Sequence, residues 1–152
     1  MPGPLPQVAG LVVAAAAAAT AAAGGGAPPP LPGDGAVSAA AGRRLVLDAT
    51  APAHPLAVGR ASATFRGDGQ ALVQVAWIDP AALDALRSPH DGQPLTVPGL
   101  GDEAVRARVG GGLIARRGDR AVLVVAHLPD LDEAGRDAVT ATVAGAALSA
   151  LG

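Results

Sequence analysis

The distribution of apolar residues along the chain changes near residue 43. Before that point, Val8–Ala23 is an almost uninterrupted apolar run, and a stretch rich in Gly, Pro and Ala follows it. After that point, apolar positions alternate with polar ones or recur in short periodic segments, which is typical of strands and helices that share a core. We therefore expect a signal peptide or membrane anchor at residues 1–23, a flexible linker at 24–42 and one small α+β domain at 43–152.

The first of two predicted β-hairpins ends at residue 78. Its strands, Ala63–Phe65 and Ala71–Ile78, flank the turn residues Arg66–Gly69, and Gly and Asp are favoured in such turns. The alternation in the second strand gives two faces. The more apolar face is expected to point to the core and consists of Val73, Val75 and Trp77.

The second predicted hairpin pairs Leu113–Arg116 with Ala121–His127 across Arg117–Asp119. The near-continuous apolar run in its second strand indicates a central strand that is covered on both faces. Further strands are expected at Leu45–Leu47 and Val105–Val109.

Helices are predicted at two positions. Asp79-Pro80 is a helix start signal, so we expect a short helix, Pro80–Arg87, before the irregular connection Ser88–Pro98. The last element, Asp132–Leu151, begins with acidic residues and has one apolar face, which consists of Val139, Val143, Ala146 or Ala147, and Ala150 or Leu151. The predicted fold is an α+β domain in which an antiparallel sheet of four or five strands packs on the C-terminal helix.

Composition limits both the core and the available chemistry. The chain has one Phe, one Trp, one Met and no Cys, so its core must consist mainly of Ala, Val and Leu. The lack of Cys excludes disulfides, thiolate metal sites and a lipid anchor on a lipobox Cys. All 11 basic residues are Arg, and with 13 acidic residues the net charge is −2. This charge distribution contains no basic stripe of the kind that binds nucleic acid.

The N-terminal apolar run has the features of a secretory signal, with Ala21–Ala23 as the expected cleavage site. No Arg or Lys precedes Arg43, so the usual basic start is missing. Either the true start codon lies upstream, or the segment is a weak signal by itself. An Ala-rich helix, a low-complexity tail and a permanent membrane span are the alternatives. The span is disfavoured because the run is shorter than the roughly 20 residues that cross a bilayer.

The stretch Gly99–Leu128, together with the helix after it, resembles the C-terminal half of small secreted or lipoprotein-type domains from actinobacteria, including extracellular sensor-type domains. In those domains a Gly-Leu-Gly-Asp-Glu-Ala turn precedes two antiparallel strands, which an Arg-Gly-Asp-type turn joins, and a helix closes the domain. The resemblance covers about the last third of the chain. It implies an exported location, an α+β fold and a binding role, and it implies no catalytic residue.

The tripeptide Arg-Gly-Asp occurs twice, at Arg66–Asp68 and at Arg117–Asp119. One interpretation is an adhesion ligand for a host receptor. The other is a hairpin turn with polar flanks, and we favour it because both copies lie where the strand pattern predicts a chain reversal.

The three histidines, His54, His90 and His127, do not have the spacing of a metal-binding motif. We expect surface or strand-end histidines and no metal site. An enzyme with a non-local site around His90, Asp91 and His127 is nevertheless an alternative that one sequence leaves open.

Other candidate catalytic patterns are also weak. None of Ser62, Ser88 and Ser149 lies in a Gly-x-Ser-x-Gly elbow. The adjacent carboxylates Asp102-Glu103 and Asp132-Glu133 are expected to point to different sides of their elements, and the second pair suits a helix start. The glycine clusters Gly99-x-Gly101 and Gly110–Gly112 are interpreted as turns, because the chain has no Lys for a Walker loop.

These patterns predict no catalytic, cofactor-binding or metal-binding residue and no cofactor. The hypothesis that fits them is an exported, secreted or cell-envelope protein that acts as a non-catalytic binding or accessory module. Its partner would be an unknown ligand or envelope protein, and it would contact the membrane only through residues 1–23, if these are not cleaved. A reading frame with GC-rich composition and little selected function is a further alternative.

Overall fold

The computed structural model describes residues 29–81, 83, 95–106 and 112–151. The predicted signal segment and residues 24–28 of the predicted linker lie outside this range. In chain order, the elements are α1 (Asp34–Ala41), β1 (Val46–Leu47), β2 (Ala57–Arg66), β3 (Leu72–Ile78), β4 (Leu95–Thr96), β5 (Glu103–Arg106), β6 (Gly112–Arg117), β7 (Arg120–His127) and α2 (Glu133–Ser149).

The strands form one sheet with the order β1-β2-β3-β7-β6-β5-β4, and every neighbouring pair is antiparallel. Two meanders therefore meet where β3 pairs with β7. The α+β class and the packing of the sheet on the C-terminal helix are confirmed. The described residues contain seven strands, more than the four or five expected. The strand Leu95–Thr96 lies in the segment that we expected to be irregular, because two residues are too few to show a period.

The main core lies between the sheet and the two helices. The predicted core face of β3 is confirmed, since Val73, Val75 and Trp77 are all buried. Their partners on β7 are Ala126, Val124 and Val122, which are buried in the same cluster. The central position of β7 is also confirmed, because it pairs with β3 on one side and with β6 on the other.

The opposite face of the sheet is also partly covered. Ala76, Ile78, Ile114 and Leu123 form a second, smaller cluster there with Leu83 and two further residues. Leu83 belongs to the predicted helix at residues 80–87, of which residues 82 and 84–87 lie outside the described range. Burial on both faces explains why β3 and β7 are apolar at nearly every position.

Helix α1 corrects the prediction that residues 24–42 form a flexible linker. Its residue Val37 is fully buried in the main core, and Ala41, one turn later, is buried beside it. The helix ends at Gly42, which adopts the left-handed conformation with φ of 69°. The composition of residues 24–42 favoured a linker because Ala and Gly are common in linkers. Ala is also the best helix former, however, and a single Val with an Ala four positions later suffices to bury one short helix face.

The segment before α1 also contacts the core. The indole Nε1–H of Trp77 donates a hydrogen bond to the carbonyl oxygen of Pro30 at 3.4 Å, and Leu31 packs against the main cluster. The folded unit therefore begins upstream of Arg43, at or before Pro30.

Helix α2 begins as predicted. The carboxylate of its N-cap, Asp132, accepts a hydrogen bond from the Gly135 N–H at 2.8 Å. The predicted apolar face is confirmed in its main positions, since Val139, Val143 and Ala147 are buried, whereas Ala146 is exposed.

Candidate binding cleft

The two Arg-Gly-Asp tripeptides lie at hairpin turns. Arg66 is the last residue of β2, and Gly67-Asp68 follow it; Arg117 is the last residue of β6, and Gly118-Asp119 join it to β7. Because β3 and β7 are antiparallel neighbours, the turns that precede these two strands lie at opposite ends of the sheet. The two copies therefore do not combine into one site.

Hydrogen bonds from the segment before β5 stabilise the turn at Arg117–Asp119. The carboxylate of Asp102 accepts a hydrogen bond from the Gly118 N–H at 2.7 Å, and the Asp102 N–H donates to the Arg116 carbonyl at 2.8 Å. Gly101 has φ of 61°, and a Cβ there would lie 2.5 Å from the Arg116 oxygen. The Gly-Leu-Gly-Asp-Glu stretch thus holds the β6–β7 hairpin in place. Gly101 and Asp102 therefore have structural roles.

The histidines occupy separate places as far as the structure describes them. The ring Nδ1 of His54 accepts a hydrogen bond from the Leu56 N–H at 3.1 Å, and partial burial lowers the pKa of this imidazole. His127 is exposed at the end of β7. His90 and Asp91 lie outside the described residues, so the hypothesis of an enzyme site with His127 stays untested. Within the described part, no three His, Asp or Glu residues are placed to hold a metal ion.

Two of the three serines considered above have structural partners. The Ser62 hydroxyl accepts from the His54 backbone N–H at 3.1 Å, and the Ser149 hydroxyl donates to the Gly145 carbonyl at 2.8 Å. Ser88 lies outside the described residues. The bond of Ser62 holds the loop before β2, and the bond of Ser149 lies at the end of α2.

A surface cleft of about 520 Å³ lies beside the first Arg-Gly-Asp turn and is the candidate site. It is lined by three arginines, two turn residues and one strand residue, namely Arg43, Arg44, Arg66, Gly67, Asp68 and Val46. The pairing of Val46 with Arg66 brings the two arginine-bearing segments together. A Cβ on Gly67 would lie 2.7 Å from Leu45 Cδ2 and 3.0 Å from the Arg44 carbonyl oxygen, so a side chain there would force Leu45 to shift.

Carboxylates hold two of these arginines. The Arg66 Nε–H donates to Asp48 at 2.7 Å, and Arg43 pairs with Asp130, which follows β7. The hydrogen bond from the Thr50 hydroxyl, with the further bond from Arg66, lowers the pKa of Asp48 to about 2. The bond from Arg43 likewise lowers the pKa of Asp130. Both carboxylates are therefore ionised at neutral pH.

The arginines that line the cleft keep N–H groups without a hydrogen-bond partner among the described residues. Arg44 is exposed, and it forms no ion pair or hydrogen bond with any residue that the structure describes. The Nε–H of Arg43 is buried and has no hydrogen-bond partner among those residues. Arg66 uses its Nε on Asp48, and a guanidinium carries four further N–H donors. The acidic residue Asp68 also lines the cleft.

Sequence reasoning missed this cleft. The only local signal is the doublet Arg43-Arg44 just before β1. Its relation to Arg66 depends on the register of β1 against β2, and its relation to Asp130 spans 87 positions.

A second cleft, of about 530 Å³, lies at the opposite end of the sheet, beside the second Arg-Gly-Asp turn. It is lined by Pro29 and Pro30, by the charged residues of the turn and by the end of the chain after α2. One of its arginines, Arg117, donates a hydrogen bond to the Leu148 carbonyl at 3.2 Å. Two arginines, Arg117 and Arg120, line this cleft, whereas three line the first.

The edge of the sheet at β1 is partly blocked. The large apolar residues exposed among the described ones are Val46, Leu47 and Leu56, and the first two form β1. However, the Ser38 hydroxyl donates to the Leu45 carbonyl and accepts from the Leu45 N–H, both at 2.9 Å. The side chain thus satisfies both main-chain groups of Leu45, which prevents a further strand from pairing there.

Comparison with known proteins gives no relative. No protein-family model, no curated protein and no solved structure matches this chain. The resemblance of Gly99–Leu128 to actinobacterial secreted domains therefore stays a prediction. Neither helix in the described part of the chain has the length and hydropathy that a membrane crossing requires.

Proposed function

We propose that this chain is an exported, non-catalytic binding or accessory module that acts in the cell envelope or outside the cell. The observation that carries the binding role is the arginine cleft. Carboxylates fix Arg43 and Arg66 at its rim, while Arg44 keeps its donors available. Donors that are fixed before a ligand arrives lose little freedom on binding, which favours affinity.

The position of the first core contacts supports the export part of the proposal. The expected cleavage site after Ala23 lies upstream of Pro30 and Leu31, the first residues with described contacts to the core. Removal of residues 1–23 would leave α1, its buried Val37 and the contact of Pro30 with Trp77 in place. Cleavage there is thus compatible with an intact domain.

Cell fractionation tests the export part directly. The full chain, with a C-terminal tag, is expressed in a GC-rich bacterial host, and the N-terminal residue of the recovered protein is determined by mass spectrometry. We expect protein outside the cytosol that begins near Gly24. Protein that retains Met1 and stays in the cytosol would contradict export.

A further inference from the structure

We propose that the arginine cleft binds a small soluble ligand through an oxyanion, either a carboxylate or a phosphate. This inference rests on the proposed binding function and names the chemical class of the ligand. The cleft volume of about 520 Å³ lies within the range of small-molecule sites.

The donor set determines the class of ligand. The planar guanidinium group presents its N–H donors in a fixed fork that matches the two oxygens of a carboxylate or a phosphate. Three such groups, from Arg43, Arg44 and Arg66, line one cleft. The donors available to a ligand are those of Arg44 and those of Arg66 that Asp48 does not take.

The charge balance favours a small solute over a membrane surface. Asp130 and Asp48 neutralise Arg43 and Arg66, so Arg44 is the one cleft arginine without an opposing carboxylate among the described residues. Membrane surfaces attract proteins through clusters of several uncompensated basic residues. With Asp68 counted, the three arginines of the cleft face three carboxylates, so the cleft lacks such an excess of basic charge. Arg44, which has no direct ion pair among the described residues, suits a single anionic group instead.

Asp68 gives the proposal a second, opposite test. Its carboxylate lines the same cleft and repels an anion bound by the arginines. Replacing it with Asn removes that repulsion without removing a side chain. An oxyanion site therefore predicts that substitutions at Arg44 and at Asp68 change affinity in opposite directions.

The experiment titrates the full chain, as recovered from the producing cells, with inorganic phosphate and with succinate. Binding is followed by NMR shifts of the Arg Nε–H and Gly67 N–H signals. We expect at least one probe to bind. Arg44→Gln should weaken binding about tenfold, which corresponds to the loss of hydrogen bonds to a charged group. Asp68→Asn should strengthen it by up to about fivefold.

An arginine outside the cleft serves as the control. Arg60→Gln changes an exposed arginine of β2 that does not line the cleft and should leave affinity unchanged. Binding should also weaken with added salt, because exposed charges are screened over a shorter distance. If neither probe binds, or if Arg44→Gln binds like the unmodified chain, the inference is wrong.

Two further results separate this inference from related proposals. Binding only to vesicles that contain phosphatidylglycerol, and not to the free probes, overturns the soluble ligand. Weaker binding by Asp68→Asn overturns the oxyanion class. Because export is measured by fractionation, an exported chain that binds neither probe contradicts this inference alone, whereas a cytosolic chain contradicts the proposed function.

Discussion

Gly101 lies against the main chain of Arg116, so closely that a Cβ on Gly101 would be 2.5 Å from the Arg116 carbonyl oxygen. This contact lets the next residue, Asp102, bond to both Arg116 and Gly118. The β6–β7 hairpin and the segment before β5 thus depend on each other, since the hairpin turn is held by a carboxylate from outside it.

We expect Gly101→Ala to destabilise the fold strongly. Ala at a positive φ costs roughly 1–2 kcal/mol, and the clash with Arg116 adds to this cost. Gly99→Ala is the matched control, because Gly99 also has a positive φ, of 78°, but has no atom within 4 Å of its Cβ position. Chemical denaturation measures both free energies of unfolding. Equal losses for the two variants would show that the close contact has no energetic effect.

Ser38→Ala should destabilise the fold by about 1–3 kcal/mol, because it leaves the N–H and carbonyl of Leu45 without their partner. Leu45 as a whole residue is only 1% exposed, so water replaces the hydroxyl poorly at its main-chain groups. Ser149→Ala removes an exposed hydroxyl that bonds within α2 and serves as the control. Thermal and denaturant unfolding of both variants check this. Similar stabilities for the two would mean that the bonds of Ser38 to Leu45 contribute little.

Val37→Ala should lower the free energy of unfolding by about 2 kcal/mol, because it removes two buried methyl groups and leaves a cavity. A flexible linker would show no such effect. Val46→Ala is the control, since Val46 is 46% exposed. An unchanged denaturation midpoint for Val37→Ala would show that α1 does not pack on the core in solution.

The stability of the protein should fall in acid through Asp48. Its pKa in the folded protein, about 2, lies below the unfolded value of about 3.9, so the unfolded state binds the proton first. The contribution of Asp48 is therefore complete above about pH 4 and is lost as the pH falls towards about 2.

Two variants test the cause of this pH dependence. Asp48→Asn should remove this part of the acid dependence. Thr50→Val should raise the pKa of Asp48 towards its ordinary value, because the Thr50 hydroxyl is the largest cause of the shift. A carboxyl NMR titration measures this pKa, and denaturant unfolding at several pH values measures the stability. An Asp48 pKa that stays near 2 in Thr50→Val would contradict this assignment.

Periodicity predicted the elements that are long enough to show it. The alternation around Val75 identified the core face of β3, and the apolar run after Arg120 identified the central strand, because each pattern extends over several residues. Composition failed at α1, where Ala-rich sequence suits both a linker and a helix, and packing of Val37 decides between them.

The cleft was beyond the reach of sequence reasoning for a different reason. Its arginines come from two segments that meet through the pairing of Val46 with Arg66. Arg43 is held by Asp130, which is distant in sequence. No pattern of neighbouring residues predicts contacts between segments that are distant in sequence. The signals for turns and caps, such as Asp132 before α2, are local, and the sequence therefore predicted them.

The bond between Trp77 and Pro30 places Pro30 near the end of β3. Trp77 lies near the end of β3, while Leu72, at the start of that strand, pairs with Arg66 of the cleft. The five residue-to-residue steps from Leu72 to Trp77 span roughly 17 Å at the rise of a strand. Pro30 and the cleft thus lie at opposite ends of β3. If the domain is attached to the cell envelope through residues before Pro30, its arginines face away from the attachment point.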